Sequence, residues 1–546
     1  MPRPLRFMQR KAGGSGPSEQ PPVVVSHEFN PEEDAPLVEL EGHLKVTTWR
    51  SFDLEVPYSE SFEGPRRFAN MNNPHNQCGP LLEAEVPVVT GNDYDSFMAA
   101  FNKRCNTVHH DDVEDDQYSS AFDIIDRFPT KHFDAWDENE IDRAKWMAKF
   151  DSSKAVRMED AWHTVPETSY RHIGTKDLSV KQEVLLKRND PSWAPRVIYA
   201  GNDVFNTVTG PAMMVVMERL CEVLALGPIC GVQFLTAYKQ QDTALADFIS
   251  CDPTLAHIVE GDYSANDKHQ RKRVHLLFDA FMAKIKMPRW LRKIFLETNV
   301  FKVQSRAFGF QAELENQLDT GTTATTPRNS LYNIVMFADS MRRQNVRGRA
   351  LVLGDDLLAA VNRRVCLDAW VENVKRFKMV LKAKRPPNWA EATFLSRRLV
   401  CGREGSCMIP LIGKALARFN ARALYVENKS HSQYMAGKSL SYAYEFRHVP
   451  FLRDFFLQRH VYEDRSRLSL DDLTWHAKTS GIDLSNIVDS IRAEEVVLSD
   501  DEFRDWLMGV YDFGLCDLEE MCEMVLLSDD PVLVDHPAVA NLSKDW

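Results

Sequence analysis

The chain has 546 residues, 44% of them hydrophobic and 27% charged, and carries a net charge of −13. That length supports two to four domains or one large multi-lobed enzyme, and the composition is that of a soluble globular protein, not of a disordered or fibrous one. A membrane span is excluded by the longest apolar stretch, Pro211 to Val232, which Glu218, Arg219 and Glu222 interrupt, and no apolar segment follows the basic N-terminus as a secretory signal would require.

In chain order, residues 1–40 mix Arg and Lys with Gly13-Gly14-Ser15-Gly16-Pro17 and read as a flexible leader. From 41 to 175 the pattern is of short mixed elements with Trp136, Trp146 and Trp162 as core anchors. His109-His110-Asp111-Asp112 offers metal-ligand residue types, but adjacent side chains seldom converge on one ion, so a solvated acidic loop is the commoner meaning. Lys181 to Arg188 and Ala194 to Tyr199 are expected to form two strands joined by Asn189-Asp190-Pro191-Ser192, with cations along both arms. Asn206 to Leu226 has helical periodicity and is closed by Gly227-Pro228.

His257 to Gly261 reads as a strand that delivers Asp262 to its end, where side chains reach into a cleft, and Lys268 to Lys286 turns helical. Strands are expected around Phe301 to Phe310. The Gly/Thr-rich stretch Thr320 to Thr326 precedes Pro327, which fits a helix starting there with Leu331, Ile334, Val335 and Ala338 on its buried face. Arg349 to Val361 consists of two apolar runs broken by Gly354-Asp355-Asp356, a tight β-hairpin with acids at its tip. Cys366 to Phe377 reads as an amphipathic helix, 392–396 and 401–412 as a second hairpin around Gly402 to Gly405, and the chain beyond about 413 as mostly helical.

The ten cysteines are scattered without zinc spacing, which favours free thiols. The acidic balance argues at first against a nucleic-acid partner, but a polynucleotide feels a local field. The middle of the chain is locally basic, at Lys181, Lys187, Arg188 and Arg196 and again from Lys268 to Arg306; a solvated helix face is the commoner meaning of such a run, and a basic groove is the other.

Taken alone, Gly354-Asp355-Asp356 is most often an ordinary turn with two solvated acids. Asp262 changes the reading. If its strand and the hairpin share a sheet, the carboxylates of Asp262 and Asp355 meet at the sheet's edge, where they can hold two divalent ions about 4 Å apart, activating a 3′-hydroxyl and steadying a leaving pyrophosphate. Asp267 and Asn329, facing a nucleotide sugar, would hydrogen-bond a 2′-hydroxyl, although a polar residue at a helix start accounts for Asn329 equally well. Arg196 and Lys187 would meet triphosphate charge; without a pocket they are surface cations. No Gly-Lys-Thr P-loop is present, against an ATPase or helicase.

The order of these blocks resembles the viral RNA-dependent RNA polymerases, particularly those of positive-strand RNA viruses. Asp262 and Asp267 match the family's motif A; Thr320-Gly321, Thr325 and Asn329 match motif B, with Thr where Ser is usual. Gly354-Asp355-Asp356 matches motif C. Lys181, Lys187, Arg188 and Arg196-Val197-Ile198 are similar to motif F, Lys382 or Lys384 to the motif D lysine that protonates pyrophosphate, and Phe394-Leu395-Ser396 to motif E. The matching blocks span about 181–400; motif G is not placed, and the virus group stays open between a tombusvirus-like and a related lineage.

The resemblance implies an α+β right hand of fingers, an antiparallel palm sheet backed by helices, and a mostly helical thumb. It divides the chain into a leader (1–40), an N-terminal extension with fingers (41–256, motif F at 181–198), palm (257–277), a fingers insertion (278–317), palm again (318–400) and thumb (401–546). It also implies two Mg²⁺ or Mn²⁺ ions on Asp262, Asp355 and Asp356, and RNA template, product strand and rNTPs as partners. Its setting would be the host cytoplasm, in a replication complex with other viral proteins and, through them, host membranes. A reverse transcriptase shares the paired acids but should carry a bulky sugar gate, against which Asp267 and Asn329 argue. An inactive RNA-binding scaffold is the reading from another class, and retention of every acid argues against it.

Overall fold

The computed structural model describes residues 38–40, 44–48, 68–69 and 76–546, apart from 84–86, 106–114, 137–140, 151, 166–172, 187–193, 265, 271, 424–428, 470–471, 474–483 and 495–496. His109-His110-Asp111-Asp112, Lys187 and Arg188 lie outside the described residues.

The centre of the fold is a five-stranded sheet. Its strands are β1 (Val232–Thr236), β2 (His257–Tyr263), β3 (Gly348–Leu353), β4 (Asp356–Val361) and β5 (Leu381–Lys384), in the spatial order β5-β2-β4-β3-β1. β3 and β4 form the predicted hairpin, with Leu353 opposite Asp356 and the turn at Gly354-Asp355. Gly354 has φ of +63°, the left-handed conformation that such two-residue turns require and that glycine adopts without steric cost. β2 runs antiparallel to β4, with Val259 opposite Ala359 and Gly261 opposite Leu357, while β1 runs parallel to β3. The sheet thus begins upstream of His257, with a strand that sequence reading assigned to the preceding region.

Alternation along the strands divides the residues between two cores. Val259, Tyr263, Ala350, Val352, Leu357 and Ala359 pack on the helical side. There lie α1 (Thr325–Arg343) and α2 (Leu367–Lys375), with Phe337 and the fully buried Trp370 in edge-to-face contact at 5.1 Å. Ile258, Leu351, Leu358 and Ala360 face the other way, onto Phe394, Leu399 and Met408. The last-turn Arg342 and Arg343 of α1 pair with the buried Asp339, 3.0 and 2.8 Å away, and also suit the negative end of the helix dipole.

A six-stranded sheet joins chain segments far apart in sequence, in the order Val38–Leu40, Leu44–Thr48, Phe310–Glu315, Val300–Ser305, Lys176–Val180, Val197–Ala200. This corrects the expected pairing around residues 181–199. Val197–Ala200 pairs with Lys176–Val180, and Val184–Leu185 turns away to pair with Val88–Thr90. The reason is burial. Leu178, Val180, Val197 and Tyr199 alternate inward onto Phe97, Phe101 and Phe310, whereas Val184 and Leu185 are only half-buried.

The second hairpin is also shifted. Its arms are Arg397–Cys401 and Ser406–Pro410, and Thr393–Phe394 adds a third strand through a tight turn in which Leu395 and Ser396 have φ of +51° and +58°. Beyond it the chain is mostly helical, as expected. His431–Glu445 and Pro450–Tyr462 pack around Phe419, Tyr442, Phe446 and Phe456. Asp545 ties the C-terminus down by accepting hydrogen bonds from Arg398, Tyr511 and the Gly413 backbone. All ten cysteines are free thiols, and among the described residues no helix is long and apolar enough to cross a membrane.

Candidate active site

Asp262 is the penultimate residue of β2 and is exposed. The β2–β4 register ends at Gly261 opposite Leu357, so one further step along both strands brings Asp262 beside Asp356 at the hairpin tip. Glu260, Asp262 and Asp356 share the face of the sheet on which Ile258 and Leu358 lie, by the two-residue alternation. The physical consequence is read in Asp356. Its carboxyl is pushed up to about 7, first by burial and then by the negative fields of Asp355, Asp262 and Glu260, with Lys414 acting in the opposite sense.

Like charges this strongly coupled need a cation between them if all are to be ionised. Among the described residues no three His, Cys, Asp or Glu side chains converge into a ready-made cage. The site is instead a set of hard oxygen donors held at the range where they repel. Such a donor set fits Mg²⁺ or Mn²⁺, which bind carboxylate oxygen and retain water and substrate phosphate as further ligands.

Helix α1 fixes the hairpin tip from behind. Ser330 Oγ accepts from the Gly354 N–H at 2.9 Å. Asn333 Nδ2 donates to the Asp355 carbonyl at 3.0 Å and reaches the Gly354 and Asp356 carbonyls at 3.4 Å. Asn329, one turn earlier and buried, accepts at Oδ1 from Gln270 Nε2 at 2.7 Å. Asp267 lies in the short helical turn Asn266–His269 between Asp262 and Gln270.

The loop before α1 is held by charge. Asp319 pairs with Lys176 and Arg328, and Arg328 Nη1 donates to His275 Nδ1 at 2.8 Å. All four residues are buried, and burial holds the Arg328 guanidinium down to about 9. Gly321 has φ of +100°, and a Cβ there would stand 3.0 Å from the Tyr199 carbonyl. The hydroxyls of Thr320 and Thr325 donate to the carbonyls of Val197 and Asp319 at 3.3 and 3.2 Å, so Thr320 ties the loop to the strand Val197–Ala200 and Thr325 is engaged within the loop.

The two candidate lysines separate. Lys382 stands opposite Asp262 across β2 and β5. Lys384 stands opposite Glu260 and pairs with it at 2.6 Å, while Glu260 also accepts from the Thr393 N–H and hydroxyl at 2.6 and 2.9 Å. Arg196 and Lys181 gather on Glu183, Lys181 at 3.4 Å. Sequence reading missed Glu260, Gln270, Ser330 and Asn333. The available signal was polarity out of place: a Glu inside an apolar strand, and Ser330 and Asn333 flanking Leu331 and Tyr332 in the buried stretch of a helix.

Acidic residues on adjacent antiparallel strands, with the Asp356 carboxyl raised by its neighbours and the turn clamped by Ser330 and Asn333, fit a metal-dependent phosphoryl-transfer enzyme. Residues 53–476 match the family described as RNA dependent RNA polymerase. With most of its length covered, the chain belongs to that family of positive-strand RNA virus enzymes and is an RNA-directed RNA polymerase. A comparison with the curated proteins found no match.

Proposed function

We propose that the chain copies a viral RNA genome from rNTPs by two-metal nucleotidyl transfer at Asp262, Asp355 and Asp356. The observation that carries this reading is the mutual repulsion of those acids, expressed in Asp356. Two divalent ions, held by Asp262 and Asp355 with Asp356 assisting, would supply Lewis-acid activation of the 3′-hydroxyl and neutralise charge on the leaving pyrophosphate. The 3′-oxygen attacks the α-phosphorus of the incoming rNTP and the bond to the β-phosphate bridging oxygen breaks. Asn333 and Ser330 hold the acidic turn rigid against that chemistry. Lys382 gives a proton to pyrophosphate, a role supported by its register opposite Asp262 and by the pairing of Lys384 with Glu260.

Asn329 and Asp267 check the ribose, and Arg196 and Lys187 meet triphosphate charge, Arg196 by giving up its pairing with Glu183. On this reading the five-stranded sheet is the palm, the six-stranded sheet belongs to the fingers and the C-terminal helices form the thumb, and the enzyme works in the host cytoplasm within a replication complex. The experiment is Asp355→Ala in purified protein on a primed RNA template. Synthesis should fall by at least 10³-fold, and undiminished synthesis would sink the proposal.

A further inference from the structure

Gln270 follows the helical turn after Asp262 and is fully buried. Its Nε2 donates to Asn329 Oδ1 at 2.7 Å and reaches Asn266 Oδ1 at 3.5 Å, so three amides from two chain segments form a line. The order of donors in that line has a chemical consequence. An amide oxygen only accepts and an amide nitrogen only donates. With its oxygen turned towards the Gln270 donor, Asn329 presents its two N–H donors on the other side.

The surroundings ask for a polar ligand. Gln270 Oε1, Asn266 Nδ2 and the hydroxyls of Tyr263 and Tyr332 are buried without a hydrogen-bond partner among the described residues. The two tyrosine rings meet edge-to-face at 5.4 Å, one at the end of the Asp262 strand and the other three residues beyond Asn329. Buried polar atoms are rarely left unsatisfied without a reason.

We infer that Gln270 is a positioning residue for sugar selection: by occupying the Asn329 amide oxygen it fixes that amide in one orientation, so that an rNTP is recognised by its 2′-oxygen as a hydrogen-bond acceptor. The inference rests on the proposed ribose check by Asn329 and adds the part that sets its polarity. A freely flipping amide would show its oxygen or its nitrogen to the sugar and discriminate less well.

The test is a double-mutant cycle on the purified full chain, read as the ratio of kcat/KM for an rNTP to that for the matching 2′-dNTP on a primed RNA template. Gln270→Met keeps the side-chain length and removes both polar atoms, and Gln270→Leu serves as a second variant. Both rates come from one preparation, so a reduced folded fraction cancels from the ratio. Gln270→Met should lower it about ten-fold, chiefly through the rNTP, as expected for loss of one oriented hydrogen bond. In an Asn329→Ala background the same substitution should change the ratio less than two-fold. A merely structural Gln270 would lower both rates together and leave the ratio within two-fold of the unmodified enzyme, which overturns the inference. An equal effect with and without Asn329 overturns it as well. If Asn329→Ala lowers the ratio and Gln270→Met does not, this inference alone falls; if Asn329→Ala leaves the ratio unchanged, the ribose check falls and the inference with it.

Discussion

Replacing Asn333 with Leu removes the clamp on the acidic turn while keeping a side chain of similar size. Asn333 Nδ2 has two hydrogens for three carbonyls, and only the contact with Asp355, at 3.0 Å, is of full strength; the other two lie at 3.4 Å. One good bond and one weak one contribute about 1–2 kcal/mol. Part of that is recovered because Asp355 and Asp356 are only half-buried, so water can reach the released carbonyls. The global cost is therefore about 1 kcal/mol, a shift in Tm of roughly 1 °C in a chain this long.

The catalytic cost should be larger. A displacement of about 1 Å in a reacting group can cost on the order of 10²-fold in rate, and the freed turn carries both Asp355 and Asp356. Single-turnover primer extension, run beside thermal melting and rNTP titration, should show kcat reduced about 10- to 100-fold, KM for the rNTP within about three-fold and a nearly unchanged melting curve. A kcat within two-fold of the unmodified enzyme would refute the idea that helix α1 preorganises the acids.

Lys382→Ala should lower kcat about ten-fold and weaken its pH dependence on the alkaline side. Lys384→Ala should instead cost about 1 kcal/mol of stability by unpairing the buried Glu260, with little effect on kcat; the reverse pattern would exchange their roles. Gly321→Ala forces a Cβ against the Tyr199 carbonyl at a positive φ, and template-dependent synthesis should fall at least ten-fold while circular dichroism stays native. Asp356 gives a pH signature. Its carboxyl is raised in the folded protein to about 7, so the stabilisation from proton binding is fully present below about pH 4 and is lost as pH rises towards 7. Metal-free protein should lose stability across that window, added Mg²⁺ should restore it, and Mg²⁺ affinity should rise with pH over the same range, as calorimetry can measure.

The Gly354 hairpin, the Asp262 strand and the Pro327 helix were legible because each is local: an apolar period, a turn residue and a helix-start signal lie within a few positions of one another. The pairing of Lys176–Val180 with Val197–Ala200 was not, since it depends on which strand buries more apolar surface against Phe97 and Phe310 from elsewhere in the chain. Glu260 escaped notice for a similar reason. Its partners Thr393 and Lys384 lie more than a hundred residues away, and only the folded sheet brings them together. Gln270 and Asn333 work through side-chain hydrogen bonds to distant segments, which leave no periodic trace in sequence. Family resemblance supplied what spacing could not, the expected roles of Thr320, Gly321 and Thr325. The structure then shows the Thr325 hydroxyl engaged within its own loop and the Thr320 hydroxyl bonded to the Val197 carbonyl on a neighbouring strand.

The most direct test of the account is template-length RNA synthesis by the purified chain on a primed RNA, with the four rNTPs and with Mg²⁺ present or withheld. The predicted result is full-length product only with Mg²⁺, formed from rNTPs far more efficiently than from dNTPs, and abolished by Asp262→Asn as well as by Asp355→Asn. RNA synthesis that persists in either variant, or that proceeds equally well after chelation of divalent ions, would contradict it.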